Sequence, residues 1–247
     1  MKWTWTQAGG EKKMPLTGHL EELRSRIAIA LATVGGSCLA LYPLSNNLLL
    51  LVRSPITEQL YMLAPAEAFV VHLKLTIFGA VVISSPMTLY QIWAFTAPAL
   101  YENEKRYALP FVVTATIFFL LGGLFAYTVI LPFGLRFLLG FSESLIEPVI
   151  SVSAYVSFVT KTILAFGAVF ELPVIVVFLS RMGIVSPGML RSFRKYAIVA
   201  AFVLGAILTP PDIFTQALLA GPLIVLYEIS IWACAIVSKK FGHSHDS

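Results

Sequence analysis

Charge is what this sequence has least of. Only 12% of its 247 residues are Asp, Glu, Lys or Arg, about half the share usual in a soluble domain. With 58% hydrophobic residues and a mean hydropathy of +0.85, the chain belongs in a bilayer. Cysteine is nearly absent: Cys38 and Cys234 each fall inside an apolar run, which suits reduced core residues and gives neither a disulfide nor a metal pair. Histidine is limited to His19, His72, His243 and His245, none of them mid-span, and no serine sits in a Gly-x-Ser-x-Gly turn. An intramembrane serine protease needs both groups within hydrogen-bond reach at depth. Metal chemistry lacks a His, Cys or acidic pair at i, i+3 or i+4 spacing at depth. These absences argue against an enzyme and against a cofactor. The net charge of +4 is spread in short clusters between apolar runs, without the basic stripe that tracks phosphates, so nucleic acid is not a partner.

What the sequence has is long apolar runs. Ile27–Leu44 follows a polar leader too long for a signal peptide, and further spans come after it. Residues 46–68, broken by Arg53, Pro55 and Pro65, make an interfacial helix and loop outside the membrane. The second span is Phe69–Trp93, with Lys74 placed to snorkel and Pro86 predicting a kink. The third is Ala108–Leu131, where Gly122 and Gly123 permit close helix approach and Pro132 ends the run. Residues 133–154 are too interrupted to span and belong at the outer surface. The fourth span, Tyr155–Leu179, carries Glu171. The fifth, Tyr196–Thr209, has only 14 residues, short of the roughly 17–25 a spanning helix needs. The turn TPPD at 209–212 cannot continue a helix, and Phe214–Val237 is the sixth span, with Pro222 and Glu228 inside it.

The expected fold is an all-α polytopic membrane protein of six transmembrane helices, with interfacial outer loops and a short helix five. If both termini share one side, that side holds Lys2, Lys12, Lys13, Arg24, Arg26, Lys105, Arg106, Arg181, Arg191, Arg194, Lys195, Lys239 and Lys240, which is 13 of the 17 basic residues. The positive-inside rule then puts both termini in the cytoplasm. Residues 1–26 form a cytoplasmic segment with an amphipathic helix, 27–237 the transmembrane domain, and 238–247 a cytoplasmic tail.

Glu171 lies ten residues from Arg181, roughly 15 Å along a helix and near the midplane. An acid there costs about 2.5–3.5 kcal/mol on insertion scales. Three readings stand: a structural acid bonded to a neighbouring helix, a polar contact for a partner's helix, or a hydrated spot that thins the bilayer. A proton relay in a small-solute transporter is the reading from a different class, but the internal repeats usual in transporters are missing. Glu228 and Gln91 suit structural pairing across helices. On the cytoplasmic side, PLTGHLEELRSRI and YQIWAFTAPALYENEKR combine acids with apolar and aromatic neighbours. Such carboxylates either accept incoming guanidinium groups or form ordinary i, i+4 pairs, Glu22 with Arg26 and Glu102 with Arg106.

The motifs HLEELRSR at 19–26, SP at 54–55, SSPMTLYQIWAFTAPALYENEKR at 84–106, SAYVSF at 153–158, AFGAVFELPV at 165–174, GIVSPGMLRSFRKYA at 183–197 and LTPPDIFTQ at 208–216 together resemble the TatC family, the receptor subunit of the twin-arginine translocase. The resemblance runs from about Pro15 to Lys240. It implies a protein of the cytoplasmic (inner) membrane that binds signal peptides bearing consecutive arginines. It also implies export of folded cargo on the proton gradient, together with TatA- and TatB-type single-span partners, membrane lipid and further copies of itself. The family's signal-recognition acids fall on Glu22 and Glu104, with Arg24, Phe95, Pro98, Leu100 and Tyr101 at its neighbouring positions. Its in-membrane glutamate falls on Glu171, its polar outer positions on Asp212 and Gln216, and its outer-loop proline on Pro55. Two departures stand out: Glu102 replaces a residue that is often basic, and the family's short helix six is matched here by a long apolar run.

Overall fold

Serine caps and proline breaks place the helix ends along this chain. The structure is a computed structural model that describes residues 16–96, 108–140, 149–209 and 213–241. Nine α-helices lie among the described residues: α1 Leu16–Leu41, α2 Ser45–Arg53, α3 Glu67–Thr96, α4 Ala108–Phe125, α5 Leu131–Gly140, α6 Val152–Phe170, α7 Leu172–Arg181, α8 Pro187–Leu208 and α9 Ile213–Phe241. Ser151 caps α6 by accepting from the Ala154 N–H, and Ser186 caps α8 by accepting from Met189, with Pro187 at the first helical position. Gly183 closes α7 at φ +70°, the left-handed conformation that a helix C-terminus commonly asks of glycine.

Five helical stretches are long and apolar enough to cross a membrane by length and composition: 18–53, 67–95, 109–140, 152–181 and 213–239. The sixth, α8, is 22 residues long, but its first part is polar and its apolar run starts at Tyr196. The short fifth span thus appears as a helix whose apolar portion alone is short. The family's short helix six has no counterpart, since α9 runs for 29 residues through Pro222. The preceding Gly221 leaves open space on that side, where a Cβ would meet nothing within 4 Å.

Prolines redirect two other helices. The third span was expected to end at Pro132, yet it continues to Gly140. A π-helical turn at Ala126–Ile130 shifts the hydrogen-bond register, and Pro132 then sits in the first turn of α5, where its missing N–H is tolerated. The fourth span is divided at Glu171, which ends α6 and precedes α7, with Pro173 in the first turn of the latter. By contrast α3 passes Pro86 without a break. The Val82 carbonyl, which Pro86 has no N–H to serve, accepts the Ser85 hydroxyl at 2.8 Å.

Packing follows these lengths. Helix α1 lies along α3, which also meets α4 and α6; α4 packs on α6, and α7 and α8 both pack on α9. The main core joins Leu75 of α3, Leu131 of α5, Val156, Val159 and Phe166 of α6, and Leu219 of α9. A smaller one joins Trp93 and Ala94 to Val112, with Phe111, Phe178 and Met182 around them. Short strands β1 (Leu60–Tyr61) and β2 (Ile150–Ser151) pair in parallel and tie the connection before α3 to the one before α6. Cys38 and Cys234 are free thiols; Cys234 is buried, whereas Cys38 is only half-buried and is not a core residue.

Candidate functional site

Helical spacing gathers one polar face where α1 begins and α3 ends. His19, Glu22 and Arg26 stand at i, i+3 and i+7 on α1, so they share a stripe. Gln91 and Phe95 at i, i+4 on α3 meet it. The His19 and Phe95 rings stack with centroids 4.4 Å apart. Arg26 donates from Nη2 to Glu22 Oε1 at 3.3 Å and from Nη1 to Gln91 Oε1 at 3.1 Å. The i, i+4 pair is therefore present, and Gln91 is the structural partner across helices that its setting suggested. Glu22 keeps 17% of its side-chain surface exposed, while its Oε2 is buried with no hydrogen-bond partner among the described residues. One oxygen of the carboxylate is thus engaged by Arg26, and the other is buried without a described partner. Arg24 is exposed and joins neither Arg26 nor Glu22. Glu104, Pro98, Leu100 and Tyr101 lie outside the described residues.

Glu171 is buried, with 6% of its surface exposed. Its backbone N–H reaches the Ala168 carbonyl at 3.2 Å, and its carbonyl accepts from Ile175 at 2.9 Å. Its Oε1 has no partner among the described residues. Burying a carboxyl oxygen without a hydrogen bond is costly, so the simplest structural reading, a bond to a neighbouring helix, has no described bond behind it at that atom. A groove of about 540 Å³ begins just beyond it, between Phe111 and Thr114 of α4, Pro173 and Val177 of α7, and Ile229 of α9.

At the opposite end Pro55 forms the turn after α2, where the Ile56 N–H bonds to the Arg53 carbonyl at 3.1 Å. Gln216 is engaged in structure, donating from Nε2 to the Phe202 carbonyl of α8 at 2.9 Å. Its backbone also crosses α8 closely, since a Cβ on Gly205 would sit 3.0 Å from the Gln216 carbonyl. Asp212 lies outside the described residues. Glu228 pairs with Arg194 of α8 through two contacts, at 2.6 and 2.8 Å.

Glu67 escaped the sequence reading, and Lys74 has a different role from the expected one. Glu67, at the start of α3, is 7% exposed and accepts from the Leu63 N–H at 2.6 Å, the Ser153 N–H at 2.9 Å and the Ser151 hydroxyl. Lys74, expected to snorkel, instead donates to Ser153 Oγ at 2.8 Å and Ser157 Oγ at 2.7 Å. Together they bind α3 to the beginning of α6. The signal was the serine repeat at 151, 153 and 157, which reads as a helix start without indicating which acid and base it meets.

Residues 18–222 match the family model described as Sec-independent protein translocase protein (TatC). The chain is 43% identical to the TatC of Aquifex aeolicus over 235 residues, 92% of this chain and 97% of the relative. It is 40% identical to TatC of Escherichia coli K12 over 228 residues, 90% and 88% of the two chains. A crystal structure of the twin-arginine translocase receptor TatC superposes with a TM-score of 0.83 at 40% identity, covering 89% of this chain and 99% of that one. A second, of TatC in DDM, gives 0.81 at 41% identity over 87% and 98%. A match along most of its length, to sequences and to structures alike, means that this multi-pass membrane chain belongs to the TatC family of Sec-independent protein translocase proteins.

Proposed function

We propose that this chain is the receptor that binds twin-arginine signal peptides for a translocase of the cytoplasmic membrane, through Glu22 beside Phe95 and with Glu104 as the second acid. The observation that carries this reading is the half-engaged Glu22 carboxylate. One oxygen holds Arg26 and the other is buried with no described partner. An arriving guanidinium loses hydration, and a carboxylate flanked by aromatic rings offsets that loss with planar bidentate hydrogen bonds that lysine cannot make. Arg26 has Gln91 as a second acceptor, so it stays held when Glu22 turns to a ligand. His19 and Phe95 supply a stacked surface for the peptide's apolar atoms. Pro98, Leu100, Tyr101 and Arg24 complete the surface in this reading.

The basic excess puts both termini in the cytoplasm, with residues 1–26 and 238–247 outside the membrane and 27–237 within it. TatA- and TatB-type single-span proteins, further copies of the chain and the proton gradient complete the machine. Glu171, Asp212 and Gln216 are proposed as polar positions that serve those contacts, with Pro55 in the first outer loop. Glu171 as the relay of a solute transporter is not favoured, since the matched family is a protein translocase.

The test is peptide affinity. Glu22→Ala should weaken binding of a twin-arginine peptide by about tenfold or more, the loss of a charge-assisted hydrogen bond, while wild type should discriminate against the twin-lysine peptide. Equal affinity of wild type and Glu22→Ala for the arginine peptide would overturn the assignment.

A further inference from the structure

The beginning of α8 and the end of α9 line a half-open cavity of about 350 Å³ that the proposed function does not use. Its cations are Arg191, Arg194 and Lys239; its walls include Ile231, Trp232 and Ile236. Arg194 is already neutralised by Glu228. Arg191 and Lys239 have no ion pair among the described residues, so the cavity carries an excess of positive charge. The two sit where the apolar run of α8 starts and that of α9 ends, which is the headgroup level of a spanning pair. Below them Trp232 and Ile236 are 72% and 67% exposed, facing outward where acyl chains lie. From Ile231 to Lys239 the wall extends roughly 12 Å along α9.

We propose that this cavity is a binding site for one anionic phospholipid, its phosphate held between Arg191 and Lys239 and an acyl chain laid along Ile231, Trp232 and Ile236. Charge and polarity divide the cavity as they divide a phospholipid. Basic pockets between transmembrane helices hold anionic headgroups, and indoles favour the same interface. The other occupants fit less well. A twin-arginine peptide is repelled by its cations. An apolar partner helix laid along the same wall would leave Arg191 and Lys239 without an anion. The inference does not depend on the signal-peptide reading.

The experiment is native mass spectrometry of the purified full chain released from detergent containing equal phosphatidylglycerol and phosphatidylcholine. Wild type should retain one phosphatidylglycerol in preference to phosphatidylcholine by about fivefold or more, since each cation near an anionic headgroup contributes roughly that factor. Arg191→Gln with Lys239→Gln should bring the ratio close to one, with helicity by circular dichroism unchanged. Arg136→Gln, exposed on α5, should leave the preference intact. Equal retention of both lipids by wild type would overturn the proposal, as would an unchanged preference in the double variant. Displacement of the lipid by millimolar inorganic phosphate would overturn it in favour of a free-phosphate site. Self-crosslinking of Trp232→Cys with lipid retention independent of Arg191 would overturn it in favour of a second copy.

Discussion

At the scale of single residues, the polar groups of this chain divide into those already satisfied and those left with capacity to spare. Glu67 and Lys74 are satisfied, and both act on the start of α6. Glu67→Gln and Lys74→Met should each lower stability by about 2 kcal/mol, the loss of hydrogen bonds to a charged group. Because Ser153 serves both, the double variant should lose less than the sum. Thermal melts in one detergent read this directly, and strict additivity would show that the two contacts are independent. Glu22 has capacity left over, which is why it and not Glu67 is the acid proposed to take a ligand. The sequence alone cannot separate these two cases, since burial and hydrogen-bond count depend on what the fold brings alongside.

At the scale of elements, close contact between α4 and α6 rests on reciprocal glycines. A Cβ on Gly122 would sit 2.5 Å from the Phe166 carbonyl and 2.7 Å from the Phe170 ring, and one on Gly167 would sit 2.8 Å from the Phe119 ring. Since a backbone carbonyl cannot rotate away, Gly122→Val must part the helices. A loss of about 1–3 kcal/mol is expected for such overpacking. Gly35→Ala, where a Cβ meets nothing, should be neutral or gain up to about 1 kcal/mol from helix propensity. Comparable losses in both variants would argue against steric contact as the cause. The neighbouring break at Glu171 gives a second prediction. Its Oε1 has no described partner, so Glu171→Leu should hold or raise the melting temperature while export of a twin-arginine cargo falls. A variant that melts earlier and exports normally would make Glu171 a structural acid after all.

At the scale of the whole molecule, the basic excess predicts sidedness. Cysteine in place of Gln59, in the connection after α2, should react with a membrane-impermeant maleimide in intact cells, and cysteine in place of Lys195 only after permeabilisation. The reverse pattern would invert the proposed orientation. The apolar periods made the span count legible because bilayer thickness fixes helix length. Proline was read less well. Pro132 lies inside the third span and not at its end, because a π-turn precedes it and the helix runs on to Gly140. The short helix six implied by the family was likewise absent, with Pro222 carried inside a long α9. Of the proposed recognition residues, Glu22 was legible from the acids set among apolar neighbours in HLEELRSR and from the resemblance that motif carries, while the ring partner of Phe95 was not readable.

The sequence by itself determined that the chain is a six-helix membrane protein, where its spans lie, and which family its motifs match. Those properties follow from local hydropathy and from residue order. Only the tertiary structure decided which polar groups are spent on the fold and which stay open. It added Gln91 to the Glu22 that helical spacing already offered Arg26, gave Arg194 the carboxylate of Glu228, and gave Lys74 two serines of another helix. The physical reason is range: hydropathy acts on each residue where it stands, whereas a hydrogen bond needs a partner within about 3 Å, which here comes from another helix.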